Sequence, residues 1–250
     1  MPRRAALVVL VLAAAFSGCG LVESARDSLR GRSIRRGFHV YKVQCVGCHG
    51  PEGDGAGAAA EFLLTKPRNF RQATFKFRST RGGALPTDDD LVRTISRGVP
   101  YTAMPPFPNL SRRDARAVSQ YLKTFAPRWS RASAPQSLAI PPRPGDSSTA
   151  SAIVKGRAAY TRAACMNCHG ASGDARGVMA RTLVDDWGHP TRPADFTLGM
   201  YKSGPAMEDA VRTIVTGLNG TAMASFAEVL DPGEPWYLAA YLHSLSRPVA

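Results

Sequence analysis

Two short stretches of the 250-residue chain bring reactive residue types together at a productive spacing. Cys45-Val-Gly-Cys48-His49-Gly50 recurs as Cys165-Met-Asn-Cys168-His169-Gly170, offset by 120 residues. Two thiols three residues apart on one helical turn can add to the two vinyl groups of a haem, and the adjacent histidine then projects to the iron as its proximal ligand. C-x-x-C-H is therefore the form of covalent c-type haem attachment, and two copies predict two covalently attached haem c groups. A zinc site built from both cysteine pairs would not require a histidine directly after each. A thioredoxin-like redox pair needs a βαβ context that the sequence lacks.

The sixth iron ligand is sought among the methionines. Met104 lies 55 residues after His49, and Met223 lies 54 after His169. Both stand in Thr-Ala-Met just past a glycine expected to stop a helix, on a loop able to fold back over a haem. A single methionine more often fills a core, but two at matching places after matching histidines read as axial ligands. Met166 lies inside the cysteine loop, and Met179, Met200 and Met207 have no counterpart in the first half. His39, His189 and His243 also lack counterparts, which points to surface or structural roles.

The elements that position these residues are duplicated too. Gly37 and Tyr41 match Gly156 and Tyr160, and Asp54 matches Asp174. Lys66–Phe70 echoes Arg192–Phe196, and Val92–Ile95 repeats as Val211–Ile214. Gly98 pairs with Gly217, Phe107 with Phe226, and Tyr121-Leu122 with Tyr241-Leu242. So many ordered matches mean two homologous domains, placed at residues 34–128 and 151–250. Residues 129–150, rich in proline, read as a semi-extended linker outside any core.

Thr87 should cap a helix whose Leu91, Val92 and Ile95 share a face and which Gly98 stops. Ser111 should cap the next, with Ala115, Val118, Leu122 and Phe125 as its apolar stripe. Asp231, Pro232 and Glu234 read as a capping-box start for the terminal helix. No alternating strand pattern competes, so the expected fold class is all-α.

At the amino end, Arg3 and Arg4 precede an apolar stretch, Ala5 to Phe16, followed by Ser17-Gly18-Cys19. This is the pattern of an export signal over residues 1–18; the small residues before Cys19 resemble a lipoprotein processing site, which would make Cys19 the lipidated first residue and residues 19–33 a polar tether, whereas ordinary signal cleavage would discard Cys19 or leave it as a stray thiol. No apolar run reaches the roughly 18 residues that a membrane-crossing helix needs. Acyl chains, at about 0.8 kcal/mol per buried CH₂, would hold the protein on a membrane. The expected location is extracytoplasmic, in the periplasm, and Gly20 resembles the outer-membrane sorting choice.

These residues resemble the class I cytochromes c. The resemblance rests on Gly-x-x-x-Tyr before C-x-x-C-H-Gly, a distal methionine loop and a terminal helix bearing Tyr-Leu, and it covers both units. It implies that the first and last helices of each unit cross closely, with Gly37 admitting the Tyr121 region and Gly156 the Tyr241 region. It also implies that a backbone carbonyl, of Pro67 and of Pro193, holds the second nitrogen of each proximal histidine. The loops after Phe70 and Phe196 look specific to a subgroup, with Phe77 or Tyr201 lining the haem or its edge.

The formal charge of +13 raises the question of nucleic acid, but no recognition motif accompanies it. The charge is unevenly divided. Residues 34–128 hold 16 basic and 7 acidic side chains, whereas residues 151–250 hold 9 of each. A basic first domain suits an acidic redox protein, because complementary charge mainly accelerates encounter, or a surface of anionic lipid. His/Met ligation fills both axial positions of an iron, so the expected function is electron transfer between redox partners. The alternative is a dihaem oxidoreductase, a peroxidase or thiosulfate-type enzyme, in which one iron keeps a labile ligand.

Overall fold

The structure, a computed structural model, describes residues 27–246. Cys19, with the lipid attachment expected there, lies outside the described residues. Among the described residues the fold is all-α, and β pairing is confined to isolated bridges at Thr80/Ser137 and Val184/Pro190.

Each unit follows the same order. A long helix leads, α1 through residues 27–44 and α6 at Ala150–Arg162. A one-turn helix carries the C-x-x-C-H motif, α2 at Val46–His49 and α7 at Met166–His169. After a long loop come α3 (Asp88–Arg97) and α4 (Arg112–Leu122) in the first unit, and α8 (Met207–Thr216) and α9 (Glu234–Ser244) in the second. A single turn, α5 (Arg128–Arg131), follows the first unit.

Local chemistry explains the boundaries. The Thr87 side chain accepts from the N–H of Asp90, and the Asp90 carboxylate accepts from the N–H of Thr87, a complete capping box. Ser111 accepts from the N–H of Asp114 and starts α4. The terminal helix starts later than its sequence suggests. Residues 231–233 form a turn, Gly233 at φ +94° is the residue before the helix, and Glu234 still reaches back to accept the N–H of Asp231. Half of the expected box is therefore present, one turn ahead of the helix.

The long helices cross the terminal ones at glycine. A Cβ on Gly37 would overlap the carbonyl of Ala117 and stand 2.9 Å from Tyr121 Cβ; one on Gly156 would overlap the carbonyl of Tyr237 and stand 2.7 Å from Tyr241 Cβ. The crossing implied by the resemblance is thus present in both units, because the backbones touch where no side chain intervenes. Behind these crossings, Tyr41, Phe70, Phe75, Leu91, Ile95 and Val118 pack the first core, and Tyr160, Phe196, Tyr201, Ile214 and Leu238 the second.

Two segments differ from their sequence reading. Residues 27–33, read as tether, already belong to α1, where they form a mostly exposed lead-in turn. The proline-rich linker holds most of α5 and a turn at residues 145–148 and is irregular between them, but it contributes to a core. Leu138 and Ile140 pack against Val211, Val215, Trp236 and Ala239, and Trp236 Nε1 donates to the carbonyl of Pro141 at 2.8 Å. The linker also donates from the N–H of Leu138 to the carbonyl of Ser79 at 2.7 Å. Two isolated apolar residues among prolines carry no periodicity, so their burial has no local signal.

The units meet along a seam of charged and polar side chains. Arg97 pairs with the buried Asp209 at 3.1 Å, Arg78 reaches the end of α8, and the Arg68 guanidinium lies 4.3 Å above the Trp187 ring.

Candidate functional site

Each C-x-x-C-H turn is built the same way. The N–H of His49 donates to the carbonyl of Cys45 at 2.9 Å, and that of His169 to Cys165 at 2.9 Å, so both thiols and the imidazole belong to one turn. The preceding helix clamps that turn. Tyr41 Oη donates to the carbonyl of Gly50 at 2.6 Å, and Tyr160 Oη to that of Gly170 at 2.7 Å. Burial pushes both phenols well above their ordinary range, so they remain donors. This explains the Gly-x-x-x-Tyr spacing: the glycine places the helix, and the tyrosine one turn on grips the site.

The histidines are oriented by backbone. His49 Nδ1–H donates to the carbonyl of Arg68 at 3.1 Å, and His169 Nδ1–H to that of Ala194 at 3.2 Å. The acceptors are therefore the residues after Pro67 and Pro193, not the prolines themselves. The proline fixes the chain direction and the next peptide plane faces the ring. Burial lowers both imidazoles from their ordinary value. A neutral ring with Nδ1–H engaged leaves Nε2 as the free lone pair, the tautomer an iron ligand needs.

Beneath each imidazole lies a phenylalanine that the sequence reading did not single out. Phe70 stacks on His49 with centroids 4.4 Å apart, and Phe196 on His169 at 4.7 Å. Their N–H groups donate to the carbonyls of Gly53 and Gly173 at 2.7 and 2.8 Å, which pulls each ring under its histidine. The repeated Asn-Phe and Asp-Phe after the prolines were the available signal.

Burial raises the Cys45 and Cys165 thiols, each up to about 11, and all four motif cysteines are free and partly buried. The donor set in each unit is two thiols and an imidazole nitrogen on one turn, and this fits a covalently attached haem.

The methionine loops also match. Met104 and Met223 are half-buried, and each loop closes on its methionine: Val99 N–H donates to the carbonyl of Met104 at 3.0 Å, and Leu218 N–H to that of Met223 at 2.9 Å. The threonine of each Thr-Ala-Met donates back to the same residue, Val99 at 2.7 Å and Leu218 at 2.8 Å. It also accepts the methionine N–H, at 3.2 and 3.3 Å.

His39 and His189 are exposed, while His243 stacks on Tyr201 at 4.7 Å. Tyr201 lies beside Phe196 in the second core, and Phe77 is half-buried at the seam between the units. Met207 packs on the core under the linker, whereas Met166 and Met179 are exposed.

The units differ between histidine and carbonyl. The separation is 19 residues in the first and 25 in the second. The additional residues form a turn around Asp185, whose side chain accepts the N–H groups of Trp187 and His189 at 3.0 and 2.9 Å.

Comparison with known proteins agrees with this duplicated geometry. A family model described as cytochrome C oxidase, cbb3-type, subunit III matches residues 32–122 and again 151–242. A chain in the solved structure of the Kuenenia stuttgartiensis reducing HAO-like protein complex Kustc0457/Kustc0458 is 40% identical, with a TM-score of 0.79. That similarity covers 85% of the present chain and 96% of the other. No curated protein sequence matches.

Proposed function

The chain belongs to the cytochrome c family matched by the cbb3-type subunit III model, as a tandem of two class I domains, and from that premise we propose that it is a dihaem electron carrier. Cytochrome c domains carry covalently attached haem c, and such a group, when bound, supplies reversible one-electron exchange at its iron. In this reading Cys45 and Cys48 hold the first haem, and Cys165 and Cys168 the second. His49 and His169 would offer Nε2, and Met104 and Met223 their sulfurs, as the protein ligands of the two irons.

The observation that carries the reading is the equivalence of the two sites. Both histidines are oriented through Nδ1 by a carbonyl one residue after a proline, and both methionine loops close through the same three hydrogen bonds. Catalysis at one iron would require that site to depart from the other, with a labile ligand in place of the methionine. The protein's part is to hold ligands still, so that little rearrangement accompanies each electron. The similar chain comes from a reducing HAO-like protein complex, which supports a role beside a second redox protein. The surplus of basic residues in the first domain suits an acidic partner.

Challenging the haem-loaded protein with cyanide and with hydrogen peroxide separates carrier from enzyme. The carrier reading expects slow cyanide binding at both haems and no sustained peroxide consumption. One haem that binds cyanide on mixing, or turns over peroxide, would transfer the assignment to a dihaem oxidoreductase.

A further inference from the structure

The repeat provides an internal control for the loops that present the methionines, and the two loops are not held alike. The second loop leaves α8 at Thr216 and Gly217 and is gripped from the first unit. Arg78, 3% exposed, donates from Nη2 to the carbonyl of Thr216 at 2.7 Å and from Nη1 to that of Gly217 at 3.2 Å. Its Nε donates to the carbonyl of Arg81 at 3.1 Å, which fixes the side chain at its own end. Two residues further on, Asn219 accepts the N–H of Gly83 at 2.9 Å and donates to the carbonyl of Ala84 at 3.2 Å.

The first loop, Gly98 to Met104, has no such clamp. Among the described residues, the second unit holds it by one hydrogen bond, from the exposed Tyr101 Oη to the carbonyl of Gly199 at 3.1 Å. Arg97 pairs across the seam, but with Asp209 at the start of α8.

The chemistry explains why an arginine stands there. The last carbonyls of a helix lack partners in their own helix and carry the negative end of its dipole. A buried guanidinium must satisfy several N–H groups at once, and its planar fork can take two adjacent carbonyls. Gly217 is also where α8 turns, at φ +68°, and a Cβ there would stand 2.6 Å from the backbone of Ala224, just after Met223. Moving these carbonyls therefore moves the residues flanking the methionine.

We propose that Arg78 is a positioning residue for the second haem site, its guanidinium capping the end of α8 from the first domain and fixing where the Gly217–Met223 loop carries the methionine sulfur. The second site is then incomplete without the first domain, while the first stands largely by itself. This rests on the reading of Met223 as an iron ligand.

The test uses the haem-loaded full chain, following the red-edge charge-transfer band of Met-ligated ferric haem and the rate of cyanide binding. Met223→Ala identifies the band and cyanide kinetics of the second haem. Arg78→Ala removes three charge-assisted hydrogen bonds, two of them to the loop, so cyanide should bind that same haem about tenfold faster or more, with its band weakened and the first haem unchanged. Arg78→Lys should restore part of the effect. Asn219→Ala, a milder change to the same loop, should act in the same direction and serves if Arg78→Ala does not accumulate. Arg97→Ala breaks a pair in the same seam that does not touch the Gly217–Met223 loop and should leave the second haem as it was.

Wild-type kinetics in both Arg78→Ala and Asn219→Ala, beside a lost band in Met223→Ala, overturn the positioning role alone. Equal acceleration in Arg97→Ala overturns it too, since loosening of the seam would then suffice. An intact band in Met223→Ala overturns the ligand reading and this inference with it.

Discussion

Replacing Cys165 and Cys168 together by serine is expected to yield a protein with one covalently bound haem instead of two, the remaining one spectroscopically normal. Both thiols lie on the turn that ends in His169, tied by the hydrogen bond from the N–H of His169 to the carbonyl of Cys165 at 2.9 Å. Each thioether forms by adding S–H across a vinyl C=C, and serine hydroxyls do not undergo that addition. The first unit has its own complete turn, with its own tyrosine clamp and histidine carbonyl. Mass spectrometry of the denatured protein should show the loss of one haem mass, and the pyridine haemochrome should fall by half. Two haems still covalently attached would place the second attachment elsewhere in the chain.

Gly156→Val should be among the most damaging single substitutions outside the C-x-x-C-H turns. The helices α6 and α9 meet backbone to backbone, and a Cβ at Gly156 would stand 2.6 Å from the carbonyl carbon of Tyr237 and overlap its oxygen. Neither atom belongs to a flexible side chain, so the helices must separate. Their separation would strip Tyr160 and Tyr241, whose rings lie 5.4 Å apart, from the core behind the haem turn. Overpacking of this kind costs about 1–3 kcal/mol or more, against a domain stability of about 5–15 kcal/mol. Gly31→Ala is a control: it lies in α1, a Cβ there meets nothing within 4 Å among the described residues, and it should stabilise by up to about 1 kcal/mol. Guanidinium unfolding of the two variants checks both signs, and an unchanged midpoint for Gly156→Val would mean that the crossing is looser than the geometry states.

What could be read beforehand was what local chemistry or the repeat encodes. Thr87, Ser111 and Gly98 marked helix boundaries because caps and stops act within a few residues. The glycine and tyrosine pairs marked the crossing because both copies carry them. Features without a local pattern escaped. The carbonyl facing each histidine is one peptide past the proline, and peptide orientation is not written in residue types. The stacking of Phe70 and Phe196 was visible as a repeated motif, but not as a contact. Arg78 had no distinguishing mark among the many basic residues of the first half, because its partners lie 138 and 139 residues away. Leu138 and Ile140 were obscured by the prolines around them.

The same contacts change how the two haem sites are to be regarded. A proline-rich connection by itself would leave the two domains free to move apart. The packing of Leu138 and Ile140 on the second unit, the Arg97–Asp209 pair and the Arg78 cap instead join the domains along one seam.

The most direct measurement is a potentiometric titration of the haem-loaded protein, read at the charge-transfer band of methionine-ligated ferric haem. Two one-electron steps at positive potential, each removing its share of the band, are the predicted result. A haem that titrates at low potential and contributes nothing to the band would contradict the account, because one of the two methionine loops would then not reach its iron.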